Sequence, residues 1–235
     1  MEYLNQIRKI SIWIFIIPVV VINTCLLISI YGEFLQGTIF QVDAIGRSSF
    51  TIPYFDGGTS ISRSSRTYPA YLIFKPGMLI TSILLIKYWL ANNRLISNIN
   101  QSEENNRFLF FGVGSAIFLL LHSILLGITY DLAIYKFFRR FVLLGFIIFE
   151  VIAQTLLVIK IFKIKDKIED FINRKILYLK ILLVSVLILV AIVSAPILNS
   201  TDYTHFKHAL EWNYFLGVVT FYLLTFLFWK KQKKT

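Results

Sequence analysis

A chain of 235 residues that is 57% hydrophobic carries 24 lysines and arginines against 13 aspartates and glutamates, for a formal net charge of +11. In a soluble protein that excess would suggest nucleic acid, but here the apolar residues form six long blocks with most cations between them. The charge therefore belongs to a membrane topology, and no nucleic-acid partner is expected. The single cysteine, Cys25, lies inside the first block and excludes an internal disulfide or a cysteine metal set.

In chain order the predicted spans are 10–31, 70–91, 108–130, 141–160, 176–196 and 212–229. At about 1.5 Å per residue, roughly 20 residues cross a hydrocarbon core, so each block has the length of one crossing. Lipid cannot hydrogen-bond an exposed backbone, and each crossing is predicted to be an α-helix. The first block has a basic start, but its apolar run is too long for a cleaved signal and no small-residue cleavage site follows, so it reads as an anchor. The fold class is all-α: one polytopic six-helix membrane bundle over 1–235, with no composition shift that would mark a second domain.

Cations set the expected orientation. Six spans put both termini on one side, together with Arg8, Lys9, Arg94, Arg107, Lys160, Lys163, Lys165, Lys167, Arg174, Lys175, Lys230, Lys231, Lys233 and Lys234. Half as many, Arg47, Arg63, Arg66, Lys136, Arg139, Arg140 and Lys207, fall on the other side, so the positive-inside rule predicts cytoplasmic termini. Tyr31, Trp89, Tyr130, Trp212 and Trp229 stand at span ends, where amphipathic rings favour the headgroup region. The membrane is expected to be a plasma or bacterial inner membrane. Lysines third and fifth from the end of the 231–235 tail keep the endoplasmic reticulum and Golgi as an alternative.

The longest exoplasmic loop, 32–69, is rich in Gly, Ser, Asp and Pro and is expected to carry turns. The cytoplasmic loop 161–176 differs, because Ile161, Ile164, Ile168, Phe171, Ile172 and Ile176 recur at helical spacing among lysines. Either a helix lies there on the inner leaflet, or the ends of spans four and five project into the cytoplasm. Asn199 opens a glycosylation acceptor close to the membrane on the exoplasmic side, and Asn100 opens one on the cytoplasmic side.

Polar side chains within spans are the informative ones. Counting inward from the exoplasmic ends places Asn23, His122, Glu150 and Gln154 in one layer, roughly 12 to 20 Å deep. Glu150 and Gln154 are four apart on one face, and Ser115, His122 and Thr129 make a stripe at seven-residue spacing. A mid-span carboxylate costs about 2.5 to 3.5 kcal/mol to insert, so Glu150 should face the bundle and pair, with His122 as the candidate partner. On the surface, the segment 53–69 gathers hydroxyls, two arginines and glycines directly before span two. Asp56, Ser60, Ser62 and Arg66, with Lys75 about one turn inside, form a candidate headgroup site, since arginine forks and helix N-termini suit phosphate or carboxylate.

Asp202, His205, His208 and Glu211 recur every third residue before span six and are weak candidates for a metal, because three-residue steps drift around a helix. No nucleophile elbow, zincin, Walker or dinucleotide signature occurs, which weighs against an enzyme and gives no cofactor.

The chain resembles the FRAG/DRAM/Sfk family of multi-span membrane proteins, which includes the post-GPI-attachment factor type. Pro53, Ser60-Ile61-Ser62, Pro69, Phe74 and Lys75 look like the family's loop and span-two positions, and Glu211-Trp212 is similar to its acidic-aromatic opening of the last span. It departs from the family at Ser64-Ser65, where many members have glycine, and at Arg140 and Tyr222, where many have histidine. The resemblance implies lipid or lipid-anchor handling of the GPI-remodelling kind, with membrane lipids as partners. Homo- or hetero-oligomeric assembly in the membrane is compatible with it. Two alternatives stand beside that reading: a small proton-coupled transporter using Glu150 and His122, and an intramembrane metal-dependent lipid hydrolase.

Overall fold

The computed structural model describes residues 2–41, 50–99, 107–128, 133–200 and 202–231. The described residues form a helical bundle with no strands. Six helices are long and apolar enough to cross a membrane: α1 (Glu2–Tyr31), α3 (Ala70–Ile99), α4 (Arg107–Leu125), α5 (Ala133–Lys163), α6 (Arg174–Asn199) and α7 (Thr204–Phe228). A short α2 (Ile61–Ser65) lies in the first long loop. The chain is thus a multi-pass membrane protein. Because the six long helices alternate in direction, the bundle has a terminal end, near Leu4 and Trp229, and a loop end, where α2 sits.

Most helices run past the apolar blocks, since a helix satisfies its own amides whether its side chains are polar or not. α1 starts eight residues before the predicted span and α3 ends eight after it. α4 is the exception and stops at Leu125, because the chain turns at Gly127 with φ +82°, a conformation that favours glycine. Tyr130 and Thr129 fall outside the described residues.

α1 packs on α3 and α7, α3 on α4, α4 on α5, and α6 bridges α5 and α7. Large rings fill the centre: Trp89, Tyr88, Tyr222, Phe221 and Phe108 are fully buried. Close approach of α3 and α4 depends on Gly112, where a Cβ would stand 2.3 Å from the Trp89 ring. The outer face of α6, with Leu182, Leu189, Ile192 and Val193 exposed by 60% or more, presents the apolar side chains that lipid requires.

No amphipathic helix lies along 161–176. α5 continues to Lys163, a 3-10 segment follows over Lys165–Phe171, and α6 begins at Arg174. Ile161, Ile164, Ile168 and Ile172 are buried in the bundle's own core, so their helical spacing serves packing at the terminal end. There the chain closes with a strap: Ile172 and Trp229 form an antiparallel bridge, Asn173 N donates to Phe228 O at 2.9 Å, and Lys230 N donates to Phe171 O at 2.9 Å.

Candidate functional site

At the loop end, residues 50–69 are clamped onto the start of α7. His208 Nδ1 donates to the Gly57 carbonyl at 2.9 Å, Trp212 Nε1 to Thr59 O at 2.9 Å, and Asn213 Nδ2 to Tyr54 O at 2.7 Å. Tyr54 stacks edge-on against Trp212, with centroids 5.0 Å apart, and donates its hydroxyl to Asn23 Oδ1 at 3.2 Å. Gly57 makes the approach possible: its φ is +62°, and a Cβ there would stand 1.7 Å from the His205 carbonyl oxygen. Gly57→Ala is expected to lift the loop and break the three α7 hydrogen bonds, at about 1 kcal/mol each. Faster proteolysis within 50–69, with a shift in Trp212 fluorescence, is the result to look for.

Most of the predicted headgroup residues serve this loop. Asp56 accepts from the Thr51 hydroxyl, from Ile52 N at 2.8 Å and from Gly58 N at 2.8 Å. These donors, the Thr51 hydroxyl foremost, hold its carboxyl below the usual carboxylate range. Asp56 is therefore a scaffold residue, not a free ligand. Ser60 caps α2 by accepting from Arg63 N at 3.1 Å. Ser62 is half-buried, and the backbone N–H groups of Ser62 and Ile61 face the Glu211 carboxyl, so the α2 N-terminus already has its acceptor. Arg66 remains exposed at the far end of α2, and Lys75 lies 5.4 Å from the Tyr71 ring.

The family-like residues also collect at the loop end. Pro53 stands in the turn below Gly57, Pro69 follows a cis peptide at the start of α3, and Phe74 meets the His122 ring edge-on at 6.4 Å. His122 is 8% exposed, and its Nδ1 has no hydrogen-bond partner. Arg139 on α5 is close enough to act on it electrostatically. The Arg66 carbonyl comes within 3.3 Å of where a Gly127 Cβ would stand, which puts α2 against the same end of α4.

Glu150 does not pair with His122. Its carboxylate, fully buried, accepts from Ser115 Oγ at 2.6 Å, from Gln154 Nε2 at 2.9 Å and from the Tyr222 hydroxyl. Gln154 Nε2 also reaches Val218 O at 3.2 Å. The predicted single layer is two tiers: Asn23 and His122 lie toward the loop end, while Glu150 and Gln154 lie with Ser115, which precedes His122 on α4 by two turns and so lies about 10 Å nearer the terminal end. The discrepancy arises in α5, which begins at Ala133 and so places Glu150 about 25 Å from its loop-end start.

A second buried ionisable group, which the polar residues singled out in the spans do not include, lies on α6. Lys180 on α6 is fully buried; its Nζ donates to Thr225 Oγ1 at 2.8 Å and sits 4.0 Å from the Phe221 ring centre and 5.3 Å from that of Phe228. Thr225 Oγ1 in turn donates to Phe221 O at 2.9 Å, so the Tyr88 hydroxyl, 3.3 Å away, is the donor of that pair. Tyr88 and Tyr222 meet edge-on, centroids 5.0 Å apart. The signal was present in the sequence, as a lysine inside an otherwise apolar block.

The metal candidates diverge. Asp202 and His205 are exposed, His208 holds Gly57, and Glu211 faces α2; among the described residues no three His, Cys, Asp or Glu side chains are grouped to hold an ion. No protein-family model, curated protein or solved structure matches the chain.

Proposed function

We propose that this multi-pass membrane protein handles lipid by binding an anionic headgroup at its loop end, which the cation distribution assigns to the outer leaflet. The observation that carries the reading is the buried, unpartnered Nδ1 of His122 at the loop end of α4, the end where the α2 backbone at Arg66 approaches Gly127 and where Phe74, next to Lys75 on α3, meets the His122 ring. A buried nitrogen without a partner is costly, and a phosphate or carboxylate oxygen would supply one. Arginine adds two-pronged recognition of such groups, and Lys75 adds a charge that can reach outward along its stem. Asp56, Ser60 and Glu211 contribute by holding the loop in place. The resemblance of Pro53, Pro69, Phe74 and Glu211 to the FRAG/DRAM/Sfk pattern supports lipid handling from a separate direction.

The protein reconstituted in phosphatidylglycerol nanodiscs should retain that lipid on release for native mass spectrometry, and retain phosphatidylcholine far less. Arg66→Ala combined with Lys75→Ala should lose it, and His122→Phe should weaken it with the fold intact. Equal retention of both lipids, or unchanged retention in the variants, would overturn the assignment.

A further inference from the structure

The inner tier lies apart from the headgroup site and needs its own account. Two ionisable side chains of opposite type, Glu150 on α5 and Lys180 on α6, are each fully buried, and the residues linking them all carry hydroxyls. Lys180 Nζ meets Thr225 Oγ1, Thr225 meets the Tyr88 hydroxyl, the Tyr88 ring meets Tyr222 edge-on, and the Tyr222 hydroxyl donates to Glu150. Groups of this kind inside a span mark ion pathways or proton relays more often than packing devices, because apolar side chains would fill the same space at lower cost.

We infer that Glu150 and Lys180 are the terminal sites of an internal proton-exchange unit served by the hydroxyls of Tyr222, Tyr88 and Thr225. With Lys180 as ammonium and Glu150 as carboxylate, one proton leaves Nζ and one arrives at the carboxylate, giving amine and carboxylic acid. Each hydroxyl between them accepts one proton and passes one on, so it ends unchanged and the core's net charge is the same before and after. No oxidant or co-reactant is needed. Thr225 donates to Phe221 O and accepts from Tyr88, and between the tyrosine hydroxyls no hydrogen bond is formed, so transfer needs the Thr225 and Tyr88 hydroxyls to rotate and one water or rotation to join the tyrosines, and these rearrangements act as the gate.

The surroundings suit such a unit. Around Glu150, α4 supplies Ser115, α5 supplies Gln154, α7 supplies Tyr222, and α3 supplies Tyr88 as the titratable group near enough to interact with it. Among the described residues, Lys180 Nζ hydrogen-bonds Thr225 and lies over the Phe221 and Phe228 rings of α7. Arg8 of α1 is held elsewhere, its Nε donating to Phe226 O at 3.2 Å with the guanidinium over the Phe226 ring. No permanent counter-charge therefore fixes either group in one state among the described residues. Phe228 and the strap through Trp229 stand between Lys180 and the terminal end, so opening the strap would admit a proton from that side.

The test is proton movement in phosphatidylcholine liposomes holding a pH-sensitive dye, driven by a potassium gradient with valinomycin. Phosphatidylcholine keeps this result independent of anionic-headgroup binding. Net movement requires that Glu150 then release its proton toward the loop end and that Lys180 be reprotonated from the terminal end, which restores both groups; the full chain should then acidify the lumen faster than empty liposomes do. Glu150→Gln, Lys180→Met and Tyr222→Phe should each return the rate to that of empty liposomes, whereas Gln36→Ala, at an exposed loop position, should leave it unchanged. Tyr222→Phe removes one oxygen with little change of volume, which guards against loss through misfolding. A full-length rate equal to that of empty liposomes, or full flux in Lys180→Met, would overturn the proposal.

Discussion

Glu150→Ala is expected to destabilise the folded bundle by about 3 to 5 kcal/mol, because it both empties a core site and strands hydrogen-bond donors. The donors fare unequally. Ser115 Oγ also donates to Gly112 O at 2.8 Å, and Gln154 keeps Val218 O, but the Tyr222 hydroxyl has no other acceptor among the described contacts. Tyr222 is 1% exposed, so water cannot take over. Glu150→Gln, which keeps the volume and one acceptor oxygen, should cost only about 1 kcal/mol. Thermal unfolding of the two variants in the same detergent checks the contrast. Equal melting temperatures for Ala and Gln would mean that the carboxylate is not the centre of this network.

Lys180→Met should act in the opposite direction. The lysine amine is buried with one hydroxyl and two rings for company, and no carboxylate bonds it among the described residues. Methionine fills a similar volume without taking an ammonium out of water, and Thr225 still has Phe221 O and Tyr88 as partners. The fold should be unchanged or stabilised, by up to about 4 kcal/mol on the scale of other buried charges replaced by apolar residues. A rise in melting temperature together with loss of proton movement would separate the cost of Lys180 to stability from its use. A large fall in melting temperature would instead make it a structural post.

The spans were legible because an apolar block of bilayer length has few alternatives to a helix. Their ends were not, since hydropathy falls at the headgroup boundary while helical hydrogen bonding continues, as α1 and α5 both show. That same uncertainty misplaced Glu150 relative to His122. A count of depth inherits any error in where the helix starts, and eight residues in α5 amount to about 12 Å. Glu150 and Gln154 were still found as a pair, since four-residue spacing on a helix does not depend on its ends. Lys180 is hard to read as a buried group because it stands within two turns of a cation-rich loop, where a lysine reads as a topology signal. In the segment 53–69 the residue types suggested a ligand site, yet serines and aspartates in turns bond their own backbone first, as Asp56 and Ser60 do. The docking of that loop by His208, Trp212 and Asn213 depends on long-range contacts that no local pattern announces.

The seventh helix has a consequence for how the molecule comes into being. It closes the loop end through His208 and Trp212, satisfies Glu150 through Tyr222 and Lys180 through Thr225, holds Arg8 and completes the strap. It is also translated after every element it joins. A nascent chain threaded up to α6 therefore holds Lys180 in lipid without its Thr225 partner, and Glu150 with Ser115 and Gln154 but without the Tyr222 hydroxyl, and must be sheltered by the insertion machinery until α7 arrives. Cells would sense an incomplete copy by that bare amine and under-satisfied acid, and biogenesis of this protein should depend on insertase capacity more steeply than its hydropathy suggests.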